Sequence, residues 1–358
     1  MIIGINGNEA NVQHRVGINQ WSFELLKQFS QNRELKSNIR VYLKELPRQD
    51  MPDLDYKVLP GPGMWTLTTL QKEMIFHPPD ILFSMTHYAP LILSCPSVIS
   101  IMDLSFEKFP QYFKKSDLFQ LRYWTRLSAM QASHIITISE FTKNDIIKIY
   151  GIDPEKITVA YPGYDSLRFN TKVVPSKKYG DYILYLGTLQ PRKNLERLIQ
   201  AFYQLLTNNY KLVIVGMINE GRGGWMNENL KVKSQKAKGK IILTGYLPDE
   251  EIPGLMAGAK AFVLPSLYEG FGIPAIEAMA VGTPVIVSRV SSLPEICGEA
   301  ATYIEDPYSV ESIKTALGRG LKNNNRKLGL EWVKRYNWET AADQTIAVLE
   351  DVCRQKWK

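Results

Sequence analysis

Short apolar runs alternate with longer amphipathic stretches along this chain, and the whole series occurs twice. The first begins with Ile2–Ile5, a helical pattern from about Asn19 to Phe29, and Ile39–Leu43. It continues through Asp80–Ser84, Ser97–Met102, Ile135–Ile138 and Ile157–Ala160, with helical stretches between. Strands that are nearly all apolar suit a parallel sheet covered on both faces, and the spacing leaves room for a helix in each crossover. The class expected is α/β.

After Tyr161-Pro162-Gly163 the rhythm stops in a polar segment near residues 165–179. It resumes through Tyr182–Leu186, Lys211–Val215, Ile241–Thr244, Ala261–Leu264, Pro284–Val287 and Thr302–Ile304. A chain of 358 residues is too long for one ordinary core, so a boundary in that segment gives two Rossmann-like domains, 1–165 and 166–339. A last helix at about 340–358 is expected to pack back on the first domain. Open parallel sheets bind ligands beyond the carboxyl ends of their strands, so two such domains are expected to face an interdomain cleft.

Composition removes several function classes. No apolar run reaches the roughly 20 residues of a membrane span, and MIIGINGNEA has no basic region ahead of an apolar one. Cys95, Cys297 and Cys353 make neither a disulfide framework nor a metal pattern, which suits a reducing cytoplasm. His14, His77, His87 and His134 are not paired in spacing, so no metal is expected. The net charge of +7 falls entirely on residues 166–358, partly in the run Lys231, Lys233, Lys236, Lys238, Lys240. That run reads as a solvated helix face or a binding patch. Without interleaved aromatic residues it is not a nucleic-acid surface, whereas an anionic small substrate or a lipid surface fits.

The stretch SLYEGFGIPAIE (266–277) places Gly270-Phe271-Gly272 where strand Ala261–Leu264 gives way to a helix beginning near Ile273. Free backbone N–H groups at such a junction favour an anion, and glycines let a ligand approach the backbone. Two readings of its carboxylates stand open: Glu269 and Glu277 hold a ligand, Glu277 by its paired acceptor oxygens, or they serve the helix dipole and an exposed face. QPRKN (190–194) adds the cations Arg192 and Lys193 beyond strand Tyr182–Leu186.

These segments, with YLGTLQPRKNLERLIQAF (182–202), KLVIVG (211–216), LTGYLPDEEIPGLMAGA (243–259) and GTPVIVSRVSSLPEICGEAA (282–301), resemble the retaining GT-B glycosyltransferases with a Glu-seven residues-Glu motif. That group-1 family includes many mannosyl-, glucosyl- and N-acetylglucosaminyltransferases. The resemblance covers essentially the whole chain and is strongest from Tyr182 to Asp306. It implies that Glu269, Gly270, Phe271, Gly272 and Ile273 meet the donor sugar and diphosphate, that Glu277 meets the ribose, and that Tyr246 and Leu247 border the base. Arg192 and Lys193 would hold the leaving diphosphate. Thr188 stands where relatives often carry arginine, and Arg192 would take over part of that role.

In the first half, Arg15-Val16-Gly17 resembles the family's glycine loop after the first strand, with Gly17 near the donor phosphate or the acceptor. Asp103 in SIMDLSFEKFP (100–110) is a cleft-facing catalytic or acceptor candidate, although Met102 replaces the histidine frequent before it. His87 in SMTHYAPL (84–91) is a further acceptor candidate, and Ser139 reads as a helix N-cap.

The resemblance implies a retaining hexosyltransferase, with mannosyl a candidate group, acting from a nucleoside-diphosphate sugar on a hydroxyl of a glycan, lipid-linked or small-molecule acceptor. Glu269, Asp103, Arg192 and Lys193 are its catalytic candidates. No Asp-x-Asp motif stands in the expected place, so neither a metal nor another cofactor is expected. The competing readings are a nucleotide-sugar epimerase of the same fold and a non-catalytic nucleotide-sugar-binding protein. A cytoplasmic location with peripheral contact at the inner membrane surface completes the expectation.

Overall fold

The computed structural model describes residues 1–205, 210–216, 239–323 and 325–355. Of the lysine run, Lys231, Lys233, Lys236 and Lys238 lie outside them. The chain divides into two compact units, one formed by Met1–Lys108, Lys115–Gly163 and Asn337–Lys358, the other by Phe109–Lys114 and Tyr164–Tyr336.

The first unit carries β1 (Ile3–Asn6), β2 (Ile39–Leu43), β3 (Asp55–Val58), β4 (Ile81–Ser84), β5 (Ser97–Ile101), β6 (His134–Thr137) and β7 (Ile157–Val159). They form one parallel sheet in the order β3-β2-β1-β4-β5-β6-β7. β1, β4 and β5 are buried at every position, the consequence of apolar side chains on both faces. β3 was not anticipated. Its sequence, Asp-Tyr-Lys-Val, is exposed to half-buried, as an edge strand with charged residues can be. The helix Trp338–Gln355 belongs to this unit and packs on the helix Ile18–Gln31.

The second unit holds β8 (Tyr182–Leu186), β9 (Lys211–Val215), β10 (Ile241–Gly245), β11 (Ala261–Leu264), β12 (Val285–Ser288) and β13 (Ala301–Ile304). Their order is β10-β9-β8-β11-β12-β13, again all parallel. Helix Leu195–Gln204 shows how the crossovers attach. Leu195, Leu198, Ile199 and Phe202 recur at helical spacing and are all buried, each contributing about 1.5–3 kcal/mol by leaving water.

In both sheets the strand order reverses once: between β1 and β4 in the first, between β8 and β11 in the second. At such a point the loops leave in opposite directions and open a crevice at the carboxyl edge.

Candidate active site

The loops beyond β8 and β11 are laced together by their own backbones. The Leu267 N–H donates to the Arg192 carbonyl at 2.7 Å. Asn194, buried and in the left-handed region at φ 63°, donates its side-chain amide to the carbonyls of Pro265 (3.0 Å) and Pro307 (2.6 Å). Asparagine tolerates that conformation better than most residues, so one side chain both makes the turn and ties three loops. Beneath them, the buried Tyr185 hydroxyl donates to the Thr188 carbonyl at 3.0 Å and fixes the end of the β8 loop.

This lacing brings Arg192, Lys193 and Glu269 together. Lys193 Nζ lies 2.6 and 2.8 Å from the two oxygens of Glu269, Ser266 Oγ donates to Oε1 at 2.6 Å, and Arg192 Nη1 stands 3.6 Å from Oε2. Arg192 is itself aimed by bonds to the Tyr268 carbonyl (2.9 Å) and to Gln190 Oε1 (2.9 Å). Glu269 is only 6% exposed. Burial pushes its carboxyl up, but the charges of Lys193 and Arg192 and the hydrogen bonds from Lys193 and Ser266 outweigh that. They hold it below the ordinary carboxylate range. The cluster is a buried carboxylate with two cations and thus carries one surplus positive charge.

Glu269 does not cap the helix that follows. The N-cap of Ile273–Ala280 is Gly272 at φ 106°, which has no side chain to accept from the first turn. A side chain at Gly272 would be strained by that φ, and its Cβ would come within 2.9 Å of Leu293 Cδ2. Two serines lock the turn. Ser291 Oγ accepts from the Glu269 N–H at 2.9 Å, while Ser292 Oγ lies within hydrogen-bond reach of the carbonyls of Glu269 (2.9 Å) and Phe271 (3.2 Å). Ser291 takes φ 53°, a strained position for a serine. Sequence reasoning missed Ser266, Ser291, Ser292 and Asn194. Serine beside a glycine turn is too common to stand out, although Ser266 is three residues before Glu269.

Glu277 is half-buried inside the helix, and its backbone carbonyl accepts from Val281 N–H. Thr188 is half-buried beyond β8. Tyr246 is 47% exposed and Leu247 half-buried, both just past β10 at the edge of the sheet.

Gly17, His87 and Asp103 belong to the first unit. Gly17 is exposed at φ 56° and immediately precedes the helix Ile18–Gln31. Arg15 is bound within its own loops: it donates to the Ala10 carbonyl and to both oxygens of Asp50, and lies 3.9 Å above the Phe23 ring. His87 follows β4, its ring 5.9 Å from that of Phe106, and its Nδ1 is buried without a hydrogen-bond partner among the described residues. Burial pushes its pKa down against the opposing charge of Asp103. Asp103 Oδ1 accepts from the Ser105 N–H at 2.9 Å, and Met102 is buried. Ser139 caps the helix Glu140–Tyr150, accepting from Thr142 N–H at 3.1 Å. It follows β6. Among the described residues no helix is long and apolar enough to cross a membrane.

Two parallel sheets with a charged, glycine-turned site at the reversal of the second define an α/β protein of the GT-B type, and comparison with known proteins agrees. Sucrose-phosphate synthase from Thermosynechococcus elongatus matches 98% of this chain and 98% of its own with a TM-score of 0.77 at 17% identity. Anabaena HepE in complex with UDP and glucose matches 98% and 99% with a TM-score of 0.75 at 18% identity. In sequence, residues 168–335 match the model of the glycosyl transferases group 1, and residues 31–168 that of glycosyltransferase family 4. The O-antigen chain mannosyltransferase B of Escherichia coli is 32% identical over 371 residues, spanning 92% of this chain and 94% of that protein. The chain belongs to the group 1 glycosyltransferases.

Proposed function

We propose that this glycosyltransferase moves a hexosyl group, mannosyl foremost, from a nucleoside-diphosphate sugar to a hydroxyl acceptor, with retention of configuration and without a metal ion. The observation that carries the reading is Glu269: a buried carboxylate held ionised by Lys193, Arg192 and Ser266 at the mouth of a glycine turn. The name of the Escherichia coli relative supports mannose.

In this reading the bond from the sugar's anomeric carbon to the β-phosphate breaks, and one to the acceptor oxygen forms on the same face. The acceptor proton passes to the departing phosphate. Negative charge accumulates on the diphosphate as it leaves, and the surplus positive charge at Arg192 and Lys193 stabilises it together with the N–H groups of the glycine turn. Glu269 positions the sugar, Glu277 takes the ribose hydroxyls, and Tyr246 and Leu247 border the base.

A panel of nucleotide sugars, each given with and without mannoside acceptors in EDTA, tests this. The expected product is a disaccharide whose anomeric coupling by NMR matches that of the donor. An inverted product, a requirement for added Mg²⁺ or Mn²⁺, or epimerised sugar in place of transfer would overturn it.

A further inference from the structure

The reversal point of the first sheet holds polar groups that this reading does not use. Asn6 ends β1 and Ser84 ends β4, and the two face each other in register. The Ser84 hydroxyl donates to the Tyr88 carbonyl at 2.8 Å, so its oxygen accepts from the Asn6 amide nitrogen at 3.3 Å. That arrangement fixes the Asn6 side chain and leaves its Oδ1 buried with no donor among the described residues, in a residue only 3% exposed. Native interiors rarely leave such an oxygen unpaired, and one at the crevice of a parallel sheet is where a ligand hydroxyl belongs.

Glu9 lies in the loop that leaves β1 at the same point. Its Oε2 accepts from Asn19 Nδ2 at 2.8 Å, and the same amide reaches the Glu9 carbonyl at 3.0 Å. The loop is pinned before any ligand arrives: the Gly7 N–H donates to Tyr42 O, the Lys44 N–H to Asn8 Oδ1, and the Arg48 N–H to Asn11 Oδ1. Glu9 is therefore presented on a rigid backbone, which lowers the cost of ordering it against a ligand. Among the described residues no ion pair holds it. The cation of its own loop, Arg15, is neutralised by Asp50, and Lys44 follows β2, one strand farther out.

We propose that Asn6 and Glu9, at the carboxyl edge between β1 and β4 on the acceptor side of that reading, set its specificity for an uncharged sugar against a phosphorylated one. A carboxyl without a counter-charge repels a phosphate, whereas carboxyl and amide oxygens accept from sugar hydroxyls. Burial pushes the Glu9 carboxyl up, partly countered by Asn19, in keeping with a site built for neutral ligands. The inference rests on the glycosyl-transfer reading.

The test uses the intact chain, with methyl α-mannoside and mannose 6-phosphate as probes and saturation-transfer NMR to measure binding. The neutral sugar is expected to bind at least tenfold more tightly than the phosphate. Glu9→Ala should weaken the neutral sugar at least tenfold, and Glu9→Lys should narrow or reverse the preference. Glu9→Gln, which keeps the size and one acceptor oxygen, should lie between wild type and Glu9→Ala. Calorimetric binding of free nucleoside diphosphate separates the two proposals. A wild-type chain that binds no nucleotide defeats the transfer reading. One that binds nucleotide but no neutral sugar, prefers mannose 6-phosphate, or is indifferent to both Glu9→Ala and Glu9→Gln defeats this inference.

Discussion

Each sheet reverses its strand order once, and beyond each reversal stands a glutamate, yet the two carboxyls are held in opposite electrostatic states. Glu269, after β11, is buried against Lys193, Arg192 and Ser266, and its carboxyl lies below the ordinary range. Glu9, after β1, has an amide for a partner and no counter-charge among the described residues, and burial pushes it up. One topology thus yields a site with surplus positive charge and another with none. The choice is made by a few loop residues: Arg-Lys after β8 in one case, Asn at the start of a helix in the other. Fold places a site; loop charge decides what enters it.

The largest expected effect comes from removing the counter-charge. Lys193→Ala leaves a buried carboxylate with one cation at 3.6 Å and should cost about 3–5 kcal/mol of stability as well as activity. Placing methionine at 193 together with Glu269→Gln should recover most of the stability and none of the activity, because both charges go together. Urea unfolding of the single and double variants measures this. A stable Lys193→Ala that keeps full turnover would mean that the contrast with Glu9 has no functional content.

Glu269→Gln and Glu277→Gln sharpen the comparison within the second unit. In the proposed reading Glu269 serves the reacting sugar and Glu277 the nucleoside. Glu269→Gln should then lower kcat with little effect on free nucleoside diphosphate, whereas Glu277→Gln should weaken that product by roughly 1.5–3 kcal/mol. Calorimetric titration of both variants decides it, and the reverse pattern would reject the division.

Glycines at the two sites differ as well. Gly17 has φ 56° and ψ −117°, outside the left-handed well, and among the described residues nothing lies within 4 Å of an added Cβ, so Gly17→Ala should cost backbone strain alone, about 1–3 kcal/mol. Gly272 is left-handed at φ 106°, and Gly272→Ala adds to its backbone strain the displacement of Leu293, whose Cδ2 would lie 2.9 Å from the new Cβ. Thermal unfolding in which Gly272→Ala matches wild type would show that the glycine turn is not rigidly held.

All six strands of the second sheet are legible in the sequence, because strands buried on both faces leave runs such as Ala-Phe-Val-Leu. β3 is not legible: an edge strand carries Asp and Lys, and its partner strand supplies what its pattern lacks. The motif residues Arg192, Lys193 and Glu269 were legible as charges but not as one another's partners. Their meeting depends on β8 and β11 being neighbours, a fact of topology. Ser291 and Ser292 lie beyond β12 and Asn6 faces Ser84 from 78 residues away, so neither pairing has a local signature. Glu9 escaped notice because nothing in "NGNEANVQ" distinguishes a pinned loop from an ordinary one.

The smallest expected effect is in stability against pH, and it opposes the two glutamates directly. A carboxyl with a lowered folded pKa contributes stability that is present above its unfolded value, near 4.5, and is lost as pH falls through the folded value. The advantage of wild type over Glu269→Gln should therefore persist at pH 4.5 and shrink only below it. For Glu9 the sign reverses. A carboxyl with a raised folded pKa is a burden above that value, and the burden lifts as pH falls through the folded value and is gone below about 4.5, where folded and unfolded chains are both protonated. Glu9→Gln should accordingly be the more stable chain near neutrality, and its advantage should vanish as the pH drops. Urea midpoints of wild type and both variants between about pH 3 and about pH 7 measure the two differences, and taking differences cancels the other groups that titrate in acid. If the stability of wild type relative to its variant fell with falling pH in both cases, the opposition between the two carboxyls would be wrong, and with it the assignment of a charged ligand to one edge and a neutral one to the other.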